Sequence, residues 1–343
     1  MVDVTVRGAG AFGLAVAYAC ALKGASVRVV DPGGPGAGAS GGLVGALAPH
    51  VPENWNDKKA FQFASLDMAE SFWAEVAETS GRDPGYLRSG RLQPIADEAA
   101  LDLARARAET AASLWEARYD WEIVEADPTW GPASPTGLAI RDSLTARMHP
   151  RLAIPALAEA LRARGGEIVA DAPDEGHVVW ATGWQGLVAL SEHFGKTVGV
   201  PIKGQSATLA HDARALPQIF AGGVHVVPHA DGTVAIGSTT EREFDRADTC
   251  DDQLDAVIAA ARAAVPALAD APVMTRWAGL RPRAKSRAPM LGAWPGRAGH
   301  YIANGGFKIG FGMAPMVGKT MAALVLDGDD DGIPDGFRVE ASL

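Results

Sequence analysis

Three glycines near the start of the chain, Gly8, Gly10 and Gly13, constrain its fold more than any other feature. Ahead of them, Val2 to Val6 reads as a short buried strand. After them, Leu14 to Lys23 reads as a helix that is apolar nearly all round and ends at Gly24-Ala25. Ser26 to Val30 then reads as a second strand, closed by Asp31. Each glycine answers a steric demand. Gly8 permits the tight strand-to-helix turn, Gly10 lets backbone N–H groups approach a pyrophosphate, and Gly13 lets helix and strand pack closely. The helix N-terminus adds partial positive charge where phosphates sit. Ala11 and Phe12, inside the motif, and Pro32, just after Asp31, are placed against the same ligand, and Asp31 can accept hydrogen bonds from a ribose diol. A GxGxxG pattern alone is weak in a chain with 40 glycines. Framed by strand, helix, strand and acid, it predicts a bound dinucleotide.

The 343 residues leave room for one large domain or two intergrown ones, and 48% apolar residues suffice for a buried core. The net charge of −10 argues against a nucleic-acid or anionic-membrane footprint. The two cysteines, Cys20 and Cys250, make no disulfide framework, and no Cys/His spacing suits zinc. Cys20 is expected in the core and Cys250 at the surface. No run of about 18 apolar residues exists, so no membrane span is expected. With the glycine motif starting at residue 8, no signal peptide is expected either, and a cytoplasmic location is the default reading.

Residues 32 to 56 read as a glycine-rich loop close to the nucleotide, with Ser40, Gly41 and Gly42 as contacts. Helices are predicted over 57–79, 97–118, 151–164, 251–265 and 310–326. His177 to Gly183 is an apolar strand ending in Ala181-Thr182-Gly183, whose C-terminal end should meet the nucleotide. From Val198 the pattern changes to short alternating strands, including 206–209, 223–228 and 233–238; a further strand, 273–278, is broken at Gly279. This order predicts an α/β class (α+β in total) with two interwoven domains. One is a doubly wound Rossmann-type nucleotide domain from 1–50, 142–198 and 282–343; the other is an antiparallel-sheet domain from 51–141 and 199–281.

These motifs resemble the D-amino acid oxidase superfamily of FAD-dependent oxidoreductases, most nearly glycine oxidase and less closely monomeric sarcosine oxidase. The resemblance rests on the glycine motif with Asp31, Ala39-Ser40-Gly41-Gly42, Met148-His149-Pro150 and Trp180-Ala181-Thr182-Gly183. It continues through Pro201-Ile202-Lys203-Gly204-Gln205, Val226-Val227-Pro228, Trp277-Ala278-Gly279-Leu280-Arg281-Pro282 and Gly305-Gly306-Phe307-Lys308-Ile309-Gly310. It implies FAD between a doubly wound domain and an antiparallel substrate sheet, oxidation of a small amine or amino acid, and oxygen or an electron-accepting partner as the second substrate. The chain departs from the pattern in places. His225 stands where glycine oxidases have tyrosine, Leu43 to Ala48 hold no arginine, and the stretch between Glu167 and Trp180 is short. No cysteine follows Cys250, so the FAD should be non-covalent.

Hydride removal from a neutral amine needs no strong base. It needs an anchor for the substrate and positive charge near the flavin N1–C2=O edge. Arg281 is the expected carboxylate anchor, because a guanidinium binds a carboxylate through two parallel bonds. Arg283, Lys285 and Arg287 follow it and offer a broader anion site. Lys308 is expected at the flavin edge, with Gly305, Gly306, Phe307 and Ile309 around it. His225 is a candidate for a polar ceiling over the ligand, and His50 for a substrate contact. His225 and His229 share a strand face, but without a third ligand they make no metal site. Other readings are a dehydrogenase subunit serving a quinone or second protein, a tRNA-base-trimming oxidoreductase, and a flavin-binding protein without turnover.

Overall fold

The computed structural model describes residues 2–343. The chain opens with β1 (Val4–Arg7), α1 (Ala11–Leu22) and β2 (Val27–Val30), followed by β3 (Ala46–Leu47) and α2 (Asp57–Ser80). Next come β4 (Arg91–Pro94), α3 (Glu98–Leu114), β5 (Trp121–Glu125), β6 (Leu138–Asp142), β7 (Ala146–Arg147) and α4 (Pro150–Ala163). The middle of the chain holds β8 (Glu167–Val169), β9 (His177–Trp180), α5 (Gly183–Phe194), β10 (Gly199–Ala210), β11 (Gln218–Ala221), β12 (Val224–Pro228) and β13 (Thr233–Gly237). The last elements are α6 (Asp252–Ala264), β14 (Val273–Ala284), β15 (Met290–Ala293), β16 (His300–Asn304) and α7 (Gly310–Asp327).

Two sheets organise these elements. The first has the order β15-β16-β9-β1-β2-β8, parallel except for β15 at one edge. Its central strands are short and apolar because both faces are covered. The path runs outward from β1 to β2 and β8, then returns to β9 on the other side of β1. Such a reversal opens a crevice at the C-terminal strand ends, where doubly wound sheets bind ligands. Helix α1 is buried over most of its length, which explains its apolar character all round. It packs on α4 and α7, and α2 packs on the same helical layer.

The second sheet has the order β14-β10-β13-β12-β11-β4-β6-β5, antiparallel except for the β11–β4 pair. Its spine is the long β10–β14 pair, with a register shift at Thr208/Leu209. Helix α6 covers one face through Leu254, Ile258 and Ala261. Asp251 caps it by accepting the Gln253 N–H at 3.0 Å. Strands β3 and β7 form a separate small antiparallel ribbon.

Several local expectations are corrected. Helix α1 begins at Ala11, not Leu14, with Gly10 as its N-cap. Strand β14 runs through Gly279 to Ala284, because pairing with β10 holds the glycine extended. Residues 206–209 are part of a longer β10. Strand β9 ends at Trp180, and Thr182 starts α5, a helix absent from the sequence reading; β5, β11 and β15 were likewise unforeseen. The 32–56 loop contains a 3₁₀ turn at Ala39–Gly41 and the β3 segment. Cys20 is buried as expected, whereas Cys250 is half-buried against the α6 core. Among the described residues, no helix is long and apolar enough to cross a membrane.

Candidate active site

The glycine motif divides into two kinds of glycine. Gly8 has φ +108°, and a Cβ on it would lie 2.4 Å from the Ala181 carbonyl oxygen. A Cβ on Gly13 would lie 1.9 Å from the Gly8 oxygen. These two are required by packing of the turn and of α1. A Cβ on Gly10 would meet only the Ser40 hydroxyl, at 3.2 Å. The backbone there is open toward a crevice at the α1 N-terminus, the geometry that receives a phosphate. Ser40 stands across this end, and its Oγ accepts the Ala11 N–H at 2.9 Å. Asp31 accepts N–H groups from Ala9 at 2.7 Å and Gly33 at 2.9 Å, so its carboxylate holds the loops while still facing the crevice.

The crevice is a cavity of about 840 Å³. It is bounded by Asp31 and Pro32, by Gly8, Gly10, Ala11 and Phe12, by Ser40 and Gly42, and by Ala181, Thr182 and Gly183. Its walls also include Gly306, Phe307, Lys308, Ile309, His225 and Arg281. Three residues expected at the ligand do not line it. Gly13 is used under the turn; Gly41 passes so close to Gly36 that a Cβ would lie 2.4 Å from its oxygen; Gly305 faces a second cavity. The sequence reading missed Leu43–Ala46, Ser206, Gly237 and Trp277, which also line the crevice. Trp277, Gly279 and Arg281 alternate along one face of β14. The Trp277 indole covers Gly279, where a Cβ would lie 2.4 Å from Cζ2. That alternation was the available signal, hidden by reading Gly279 as a break.

Arg281 is nearly buried, with 9% exposure. Its Nη1 donates to the Thr239 carbonyl at 3.2 Å. Desolvation pushes its pKa down to about 10, opposed by Glu241. Behind it lies a polar network. Gln205 Nε2 donates to Glu241 at 3.0 Å and to Asp251 at 2.7 Å, and Lys203 Nζ reaches the same two carboxylates at 3.3 and 3.0 Å. The Gln205 N–H bonds the Thr239 hydroxyl at 2.8 Å. Lys203 and Gln205 thus hold the segment that positions Arg281.

Lys308 is half-buried, and desolvation together with Arg281 pushes its pKa down to about 8. His225 sits on β12 against Phe220, ring centroids 4.6 Å apart. Burial, then Arg91 and Lys308, push it down to about 4, so it is neutral at pH 7. Its Nδ1 has no hydrogen-bond partner among the described residues. His50 lies off the main cavity and bonds Gln62 through its ring. His229 does not join His225. It packs on His149 with centroids 4.2 Å apart, and Asp231 supplies a third group that the sequence reading had not placed there.

The residues fit FAD. An acid stands at one end, an open glycine and a helix N-terminus in the middle, and two unpaired cations at the other end. Comparison with known proteins agrees. The family described as "FAD dependent oxidoreductase" (DAO) matches residues 3–324. Glycine oxidase of Pseudomonas aeruginosa is 27% identical over 94% of both chains, and that of Pseudomonas putida is 28% identical over 91% of both. In fold, the chain is similar to glycine oxidase from Geobacillus kaustophilus (TM-score 0.85, 20% identity, 98% of each chain). It is also similar to iminodiacetate oxidase from Chelativorans sp. BNC1 (TM-score 0.82, 23% identity, 98% of each chain). The sequence match spans nearly the whole chain, and the site carries the features that FAD requires: this protein belongs to the D-amino acid oxidase (DAO) family of FAD-dependent oxidoreductases.

Proposed function

We propose that the protein oxidises a small amine or amino acid bearing a carboxylate to an imine, which then hydrolyses in water. The observation that carries this reading is Arg281, a nearly buried guanidinium whose bonded partner is one backbone carbonyl and whose cavity side faces Lys308. A buried cation without an ion-pair partner is costly unless a ligand supplies the counter-charge.

Asp31 and the Gly8–Phe12 turn would hold the adenosine and pyrophosphate portions of FAD, and the Gly306–Ile309 segment would lie at its ring system. When bound, FAD supplies the hydride acceptor. Arg281 would bind the substrate carboxylate through two parallel N–H bonds, fixing which C–H faces the acceptor. Lys308 would add positive charge at the same end of the cavity. Neutral His225, with its free Nδ1, is suited to bond the substrate nitrogen without repelling it. The electron acceptor is molecular oxygen or a protein partner.

Anaerobic mixing of the yellow holoenzyme with glycine, sarcosine and D-alanine tests this reading. Bleaching of the flavin band by at least one of them is expected, and air then separates oxidase from dehydrogenase. A band that no amine or amino acid bleaches would overturn the reading.

A further inference from the structure

A second cavity of about 360 Å³ adjoins the first through Phe307, Lys308 and Ile309. Its charged lining is entirely basic: Lys58, Arg242, Arg283, Arg287 and Lys308. Among the described residues no carboxylate lines it, in a chain with 41 acidic and 31 basic residues. None of these cations forms an ion pair among the described residues. Elsewhere arginines find acids, as in Arg107–Glu53 at 2.8 Å, Arg118–Asp67 at 2.7 Å and Arg214–Asp212 at 2.8 Å.

The cluster is built rather than scattered. Arg281 and Arg283 lie two residues apart on β14 and so share a face. Arg283 Cζ stands 6.0 Å and Lys308 Nζ 5.9 Å from the centre of the Phe307 ring, so one aromatic side chain packs near both cations. Lys58 Nζ donates to the Arg287 carbonyl at 2.9 Å, tying α2 to the turn after β14. Lys285, by contrast, turns away and bonds the Leu343 carbonyl at 3.2 Å. Desolvation and the charges of Arg242 and Arg287 all lower the pKa of Arg283, so the cations disfavour one another until an anion arrives.

Resting on the amine-oxidation reading, we infer that the second cavity receives a second anionic group of the substrate. The preferred substrate is then an amine carrying two anions, one on Arg281 and the other on Arg283 and Arg287. For iminodiacetate, one methylene C–H would leave as hydride to FAD and the N–H proton would pass to water. Water would then add to the imine carbon and the C–N bond would break, giving glycine and glyoxylate.

The test separates recognition from turnover. Diglycolate carries two carboxylates on an ether and cannot be oxidised as an amine; methoxyacetate carries one. Their binding to the holoenzyme is measured by calorimetry. Diglycolate should bind at least tenfold more tightly, and Arg283→Gln/Arg287→Gln should remove most of that preference. Equal affinities in the wild type, or a preference that survives in the double variant, would overturn the inference whatever the enzyme oxidises. In parallel, iminodiacetate and its analogue with one carboxylate replaced by phosphonate are compared with sarcosine by flavin bleaching. Faster bleaching by either supports the substrate class and distinguishes carboxylate from phosphonate. Sarcosine faster than both would overturn the substrate class. Tight diglycolate binding with no bleaching by any amine would overturn the proposed oxidation and leave the anion site standing.

Discussion

The guanidinium of Arg281 on β14 lies directly over Gly204 on the neighbouring strand β10, and a Cβ on Gly204 would fall 1.9 Å from Nη1. The glycine is therefore part of the Arg281 seat. Gly204→Ala should displace the guanidinium and weaken binding of a carboxylate ligand by roughly tenfold or more, about 1.4 kcal/mol. FAD content should be preserved. Titration with methoxyacetate checks this, and unchanged affinity would mean that Arg281 does not hold the ligand in this position.

Arg281→Ala removes the anchor itself. KM for a carboxylate substrate should rise about a hundredfold, the scale of a charge-assisted bidentate contact. The yellow colour should remain. Steady-state kinetics beside a flavin spectrum separate this from a folding defect; kinetics equal to wild type would remove Arg281 from the site.

The glycines should respond differently to substitution. Gly10→Val should fold and lose FAD, because its side chain would occupy the open face at the α1 N-terminus. Gly13→Ala should compromise folding itself, since its Cβ would collide with the Gly8 carbonyl. Thermal unfolding and flavin absorbance of both variants provide the comparison. A Gly10→Val protein with full FAD would overturn the phosphate reading.

Desolvation and the neighbouring Arg281 push the Lys308 pKa down to about 8. Above that pH it loses its charge, so binding of methoxyacetate, whose own charge is constant there, should weaken as pH rises from 7 to 9. The break should vanish in Lys308→Met. Calorimetric titrations at several pH values read this directly.

His225 has a folded-state pKa of about 4, below the ordinary value of 6.5. The unfolded chain therefore binds a proton that the folded chain refuses. Its contribution to stability is complete above 6.5 and is lost as pH falls from 6.5 toward 4, by up to about 1.4 kcal/mol per pH unit. The groups around it are Arg91, Lys308 and the Phe220 ring. Urea unfolding between pH 7 and 4.5 should show a shallower pH slope in His225→Gln than in wild type.

Elements whose signal is local were readable from the sequence. The strand–glycine–helix–strand unit, the apolar run of β9 and the Lys308 segment are each contiguous, and the physics that shapes them acts within a few residues. Strands β5, β11 and β15 were not readable, because four or five residues carry too short an alternation to stand out, and each is fixed by cross-strand pairing with β6, β12 or β16 and by burial in its sheet. Helix α5 was missed because the residues before it resembled the end of a strand.

By itself, the sequence determined the nucleotide-binding unit, the fold class and the kinds of charged residue available near the site. Only the tertiary structure decided which of them meet. The β10–β14 register sets Arg281 over Gly204 and Trp277 opposite Ser206, across roughly seventy residues of intervening chain. Strand β14 ends at Ala284, and the turn beyond it brings Arg287 to the second cavity beside Arg283 while Lys285 turns away to the Leu343 carbonyl. Register depends on pairing between distant strands, and a one-residue slip would exchange the two faces. No local pattern in either strand contains that information.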